Sequence, residues 1–165
     1  MVKTLFDLRD DQLTIIANGT YCSCQKSTNN MIQRKLYSGH KKRPLVKPFV
    51  VTTTTGKIID IYGNYGATDN DASIMEDVLN RDKNLKELIL KNDLAIFDRA
   101  FKDCILRLKK KYGLISKIPT CLKDGEKQMT CKEANETRLI TKNRYVVEVI
   151  NGILKQQFKA LRETP

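Results

Sequence analysis

Asp98 closes the apolar run Leu94-Ala95-Ile96-Phe97. Such a run suits a buried strand, and in sheets covered by helices ligands bind just outside the carboxyl ends of the strands. A carboxylate at that position can serve a site, or it can cap the turn leading into Ala100-Phe101. A second acid stands on a long helical stretch near the C-terminus. At ~100° per residue, Val147, Ile150, Leu154, Phe158 and Leu161 share one narrow stripe, the expected core face. Arg144, Glu148, Asn151 and Lys155 fall within ~60° of one another on the adjacent stripe. A carboxylate flanked by a guanidinium, an amide and an amine at the margin of a core can hold a metal and steer phosphates. The alternative is an i,i+4 salt bridge from Arg144 to Glu148 on a solvated face.

Other chemistries have less to stand on. Cys22 and Cys24 form C-x-C with no second pair at ligand spacing, Cys121 and Cys131 lie ten apart, and His40 is the only histidine. Zinc coordination is therefore not indicated, and any Cys-His or Ser-His-Asp mechanism would rest on His40 alone. Five cysteines, an odd number, argue for free thiols in a reducing compartment rather than a disulfide framework. The formal net charge of +11 and a pI near 9.5 point to a polyanionic partner, with nucleic acid first. Lys41-Lys42-Arg43 and Lys109-Lys110-Lys111 are candidate contacts to a nucleic-acid backbone, or else solvated faces or a localisation signal. No run approaches the ~18 apolar residues of a membrane span, and the N-terminus turns acidic too soon for a secretory signal.

The elements that must position these residues can be read from runs and breakers. Leu13 to Ala17, ended by Asn18-Gly19, reads as a strand, and Thr20 to Gln25 can continue it or pair back on it. Lys26 to Lys47 is polar and basic, an irregular or loosely paired surface stretch. Phe49 to Thr54 and Lys57 to Tyr62 form a hairpin through Thr55-Gly56. Gly63 to Thr68 is a loop, and Asp69 or Asn70 caps a helix reaching about Arg81. Leu85 to Leu90 is a short helical or irregular link. Leu94 to Phe97 is a strand, Phe101 to Tyr112 a helix capped by Gly113, and Leu114 to Ile118 a strand. After a polar loop through Asp124-Gly125, one helix runs from Cys131 or Lys132 to Leu161. Three strands followed by alternating helices and strands imply a single α/β domain with a mixed sheet flanked by helices. In such a fold an acid at a strand end and another on a later helix can converge.

The segment Glu133 to Lys155, with Arg144, Val146-Val147-Glu148, Asn151-Gly152 and Lys155, resembles the closing helix of PIF/Harbinger-type transposases of the DDE endonuclease superfamily. Phe97-Asp98-Arg99-Ala100-Phe101 is similar to that family's second acidic motif. Ala67 to Met75 is similar to its helix-opening segment, and Gln33-Arg34-Lys35 with Ser38-Gly39-His40-Lys41 resembles the stretch before its second strand. The resemblance runs from about Leu13 to Leu161, with the motifs in family order. It implies an RNase H-like fold with a mixed five-stranded sheet. It also implies a divalent-metal-dependent (Mg²⁺ or Mn²⁺) DNA endonuclease and strand-transfer domain acting on double-stranded DNA in the nucleus. In that chemistry metal-activated water attacks a phosphodiester, and the freed 3′-hydroxyl then attacks target DNA.

Carried over residue by residue, the resemblance makes Asp98 and Glu148 the catalytic metal ligands, with Asn18 in the third position. Arg144, Asn151 and Lys155 become contacts to phosphate or supports of the ligands. One departure matters most. Where the family reads Asp-Gly-Thr-Tyr, this chain reads Asn18-Gly19-Thr20-Tyr21. An amide supplies no charge to a hard cation and cannot act as a base, so weakened or absent activity is expected. The alternative is a domesticated, non-catalytic module that binds DNA or protein. The chain begins just before the first strand, so the N-terminal helix-turn-helix region of such transposases is expected to be absent, and a separate DNA-binding partner protein or an oligomer would fit that arrangement.

Overall fold

The computed structural model describes residues 4, 6–122, 125 and 128–161. Strand β1 (Thr14–Gly19) grows from the β-branched run and continues through Asn18-Gly19 rather than ending there. Those two residues are held by the neighbouring strand β4 (Arg43–Thr53), with Asn18 opposite Val50 and Gly19 opposite Phe49. Strand β2 (Cys22–Ser23) pairs with β4, so the Thr20 to Gln25 stretch neither extends β1 nor folds back on it.

The basic stretch expected to be irregular is ordered. It holds helix α1 (Asn30–Leu36) and strand β3 (Tyr37–Ser38), which pairs with the start of β4. Asn29 starts the helix by accepting the Met31 and Ile32 amides on its side chain at 2.9 and 3.3 Å. The helix buries none of its residues, so no apolar period marks it in the sequence. Strand β4 likewise begins six residues before Phe49, and β5 (Ile58–Gly66) fills most of the expected Gly63 to Thr68 loop. Each extension is the other's partner: Val46 faces Gly66 and Lys47 faces Tyr65. The hairpin turns where expected, at Gly56, whose φ of +86° favours glycine.

Asn70 caps α2 (Asp71–Arg81), and Asp82 caps α3 (Lys83–Leu88). Strand β6 (Leu94–Ile96) leads into a 3₁₀ turn, Arg99–Cys104, and then α4 (Ile105–Tyr112), so the expected helix from Phe101 starts more tightly wound. Gly113, at φ +69°, ends α4 before β7 (Ile115–Lys117). Of the polar loop that follows, Asp124 lies outside the described residues. A capping box of Thr130 and Glu133 opens α5 (Cys131–Gln157). The expected single helix to Leu161 breaks at Phe158, and a 3₁₀ turn, Lys159–Leu161, follows.

The five longer strands run in the order β5-β4-β1-β6-β7. β1 is antiparallel to β4 and parallel to β6, and β7 is parallel to β6, giving the mixed open sheet of an RNase H-like fold. Alternation along β1 sends Ile15 and Ala17 to one face, where α2 and α4 pack with Phe97 stacked on Phe101 at 4.5 Å. Ile16 points to the other face and joins Val50, Leu94 and Ile96 against Ile140 and Val147 of α5. Full burial of each such side chain contributes ~1.5–3 kcal/mol. Among the described residues no helix is long and apolar enough to cross a membrane.

Candidate active site

The parallel register of β1 and β6 sets Ile16 beside Ile96. Two residues further along each chain stand Asn18 and Asp98, at the same end of the sheet. Asn18 lies opposite Val50, a member of the cluster under α5, so it belongs to the α5 face. Asp98 caps the turn that follows it and also enters an ion pair. Its Oδ1 accepts the Arg99 amide at 2.5 Å and opens the 3₁₀ turn. Its Oδ2 lies 3.3 Å from Nη1 of Arg144, whose Nη2 is 2.7 Å from Oε1 of Glu148. One guanidinium thus gathers the two carboxylates, fifty residues apart in the chain. Arg144 is 16% exposed while Asp98 and Glu148 are 41% and 42% exposed, so the cation is buried beneath two acids that face solvent. The cluster keeps one negative charge in excess.

The apolar stripe of α5 packs on the sheet as expected at Val147, Ile150 and Leu154. Ile140, Asn143, Val147 and Asn151 are its buried residues, whereas Phe158, off the helix end, is 55% exposed. Asn143 satisfies itself by donating to the Leu139 carbonyl at 2.9 Å. Asn151 does not: Oδ1 is enclosed with no hydrogen-bond partner among the described residues. Lys155, half-buried one turn on, shares a pocket with it.

On the opposite face of the same sheet end is a pair that sequence reasoning missed. Lys47, 6% exposed, lies 3.0 Å from Asp71, donates to the Asp69 carbonyl at 2.6 Å and sits 5.1 Å from the centre of the Tyr21 ring. A Cβ on Gly19 would come within 2.7 Å of Lys47 Cδ and 2.8 Å of Asp71 Oδ1, so any other residue after Asn18 would have to displace the pair. The available signal was alternation: Leu45, Lys47, Phe49 and Val51 fall on one face of β4, and all four are buried.

A family model described as DDE superfamily endonuclease matches residues 17–165. The chain belongs to that family. No curated protein and no solved structure matches it. DDE superfamily endonucleases use divalent metals and act on DNA, which the two half-exposed acids at the strand end suit in position. Their number and charge suit it less well. Among the described residues no group of three or more His, Cys, Asp or Glu side chains comes together. The two acids already share the Arg144 guanidinium, and Asn18 offers only a neutral oxygen. Mg²⁺ prefers anionic oxygens in near-octahedral array. The donor set of this DDE endonuclease is therefore incomplete for a divalent ion.

The two basic triplets lie at opposite ends of the DDE fold. Lys41 and Lys42 are exposed in the turn before β4 and Arg43 is exposed as its first residue; β4 runs antiparallel to β1, so the triplet stands at the Asn18 end. Lys109-Lys110-Lys111 is exposed on the last turn of α4, beside Gly113 and the start of β6. There Lys111 donates to Asn80 Oδ1 at 2.5 Å and lies 5.3 Å from the centre of the Tyr112 ring.

Proposed function

We propose that the chain is a transposase-derived DNA endonuclease and strand-transfer domain of the PIF/Harbinger type, with cleavage weakened or lost at position 18. The observation that supports this reading is the meeting of Asp98 and Glu148 on Arg144 at the strand end where position 18 presents an amide. In this reading Asp98 and Glu148 are the metal ligands, for Mg²⁺ or Mn²⁺, and Asn18 holds the third place. Arg144, Asn151 and Lys155 meet phosphate, and Lys41, Lys42 and Arg43 meet the DNA backbone on the same end of the sheet. Lys109, Lys110 and Lys111 serve a second, more distant stretch of DNA or a solvated surface. Double-stranded DNA in the nucleus is the substrate, with a separate DNA-binding protein as companion. A second reading, a domesticated module that binds without cutting, is favoured by the same guanidinium, which balances half of the acidic charge without any metal.

A nicking assay on supercoiled DNA with Mg²⁺ or Mn²⁺ separates the two. The chain as written is expected to show little or no nicking, and Asn18→Asp to show measurable, metal-dependent nicking that Glu148→Gln abolishes. Fresh, mass-checked protein is required, because an Asn-Gly sequence such as Asn18-Gly19 can deamidate to Asp. Equal activity in the parent chain and in Asn18→Asp would remove position 18 from the site. Activity in neither would leave the binding module as the better account.

A further inference from the structure

Between Asp11 and Asp60 the chain carries eight lysines and arginines and no acidic residue, so this stretch supplies +8 of the net charge of +11. Lys47 is paired with Asp71, and Lys57 stands in the β4–β5 turn at the far end of the sheet. The other six, Lys26, Arg34, Lys35, Lys41, Lys42 and Arg43, are exposed and gather where α1, β3 and the start of β4 meet. None of the six forms an ion pair among the described residues. Like charges held together without counter-charges repel one another, yet this corner is tied down on three sides. Asn29 caps α1, the Ser38 carbonyl accepts the Lys42 amide at 2.7 Å, and the Thr68 hydroxyl donates to the Lys35 carbonyl at 3.3 Å. At ~100° per residue Arg34, Met31, Lys35 and Ile32 share the outer face of α1. Met31 is 71% exposed there and Ile32 50%.

We infer that this corner is a wedge for double-stranded DNA: its cations hold phosphates, and Met31 and Ile32 press on a base step between them and bend the duplex. The inference rests on the DNA-directed reading above and deepens it by naming the element that deforms the substrate. Unpaired cations on either side of two apolar side chains match a polyanion with apolar base faces behind its charges. Proteins that bend DNA insert Met, Ile or Leu side chains in this way, with basic residues on the groove around them. An apolar protein surface would cover Met31 and Ile32 and leave the cations without counter-charge. A lipid surface binds in proportion to the apolar area buried, and two side chains offer little. The placement fits as well. β4 runs on past the Asn18 end, and Arg43 stands seven residues before Val50, the partner of Asn18. At ~3.4 Å per residue that is ~24 Å, or about seven base pairs of duplex. The bend therefore falls to one side of the phosphate held at Asp98 and Glu148, not on it.

The test measures binding and bending of a duplex of ~30 base pairs by the full chain, without divalent metal, using fluorophores on the two duplex ends. The parent chain should bend the duplex by ~20–90°. Each phosphate contact contributes about 0.9 to the slope of log affinity against log salt, so Arg34→Gln with Lys35→Gln should lower that slope by about 2. Met31→Ser with Ile32→Ser should weaken binding by about 10- to 100-fold, leave the slope unchanged and abolish the bend. All four side chains are exposed, so both variants should keep the parent's urea midpoint. A straight duplex in the parent complex, or an unchanged slope in the Arg34 and Lys35 variant, would overturn the inference while leaving the DNA-directed reading standing. Failure of the parent chain to bind the duplex would overturn both. Binding to anionic phospholipid vesicles that excess duplex does not compete away would overturn it in favour of a membrane surface.

Discussion

Lys47–Asp71 and Asp98–Arg144–Glu148 stand at the same end of the sheet, the first under α2 and the second under α5. In the first, one cation meets one anion, and both are closed off from solvent, with side chains 7% and 15% exposed. The spare donors of the ammonium reach a carbonyl and an aromatic ring. In the second, one buried cation serves two acids that remain more than two-fifths exposed. The first has no charge left to offer and the second has an anion in excess. That difference separates a clamp from a candidate site: the clamp fixes the backbone after Asn18, and the open acids face solvent where a cation can reach them.

The strongest way to break this comparison is at the clamp. Lys47→Met leaves Asp71 buried without its partner and should destabilise the fold by ~3–5 kcal/mol, read from the urea midpoint. Cys104 gives a second readout, because burial pushes its thiol up to about 11 and encloses it against reagents. In the parent chain the exposed Cys121 and Cys131 should label first and Cys104 last, and Lys47→Met should speed the labelling of Cys104. A variant as stable as the parent would mean that the pair is not a clamp.

At the open cluster the same kind of change should be nearly silent in stability. Glu148→Gln removes a half-exposed partner of Arg144 and should cost ~0–1 kcal/mol in the same urea experiment. A loss as large as that at Lys47 would show that the cluster is structural too, and the contrast would collapse.

The smallest effect lies further along the α2 face, where the Tyr62 hydroxyl donates to Asp82 Oδ2 at 2.5 Å. That bond, with the Leu85 and Asn84 amides, holds the Asp82 carboxyl below its ordinary range, while burial first and then Asp82 push the Tyr62 phenol up. A lowered carboxyl favours the folded state above its unfolded value of ~3.9, and that contribution fades as pH falls through the lowered folded value. Asp82→Asn should therefore lower stability slightly near neutrality and change it little at the acid end, where Asp82 is protonated, so that the acid limb flattens. An unchanged acid limb would remove Asp82 as its cause.

Much of the scaffold was legible because local rules and burial agree. The strand at Leu94 to Phe97, the Gly56 turn, the Asn70 cap and the Gly113 stop each need only a few neighbouring residues to specify them. The helical spacing of Arg144 and Glu148 showed that they could pair, and the end of an apolar run marked Asp98. Elements without a buried face were not legible. α1 shows no apolar period, and the first half of β4 is strand because β5, β2 and β3 pair with it.

What the amino-acid sequence determines by itself is therefore the set of chemically able residues, their order and the local breaks between them. Only the tertiary structure decides that Arg144 reaches across to Asp98, that Lys47 turns inward beneath Gly19, and that Asn151 Oδ1 is enclosed with no partner among the described residues. Each depends on groups far apart in the chain being brought within bonding distance. Local propensity carries no term for such contacts, and they exist only once the sheet and α5 have packed.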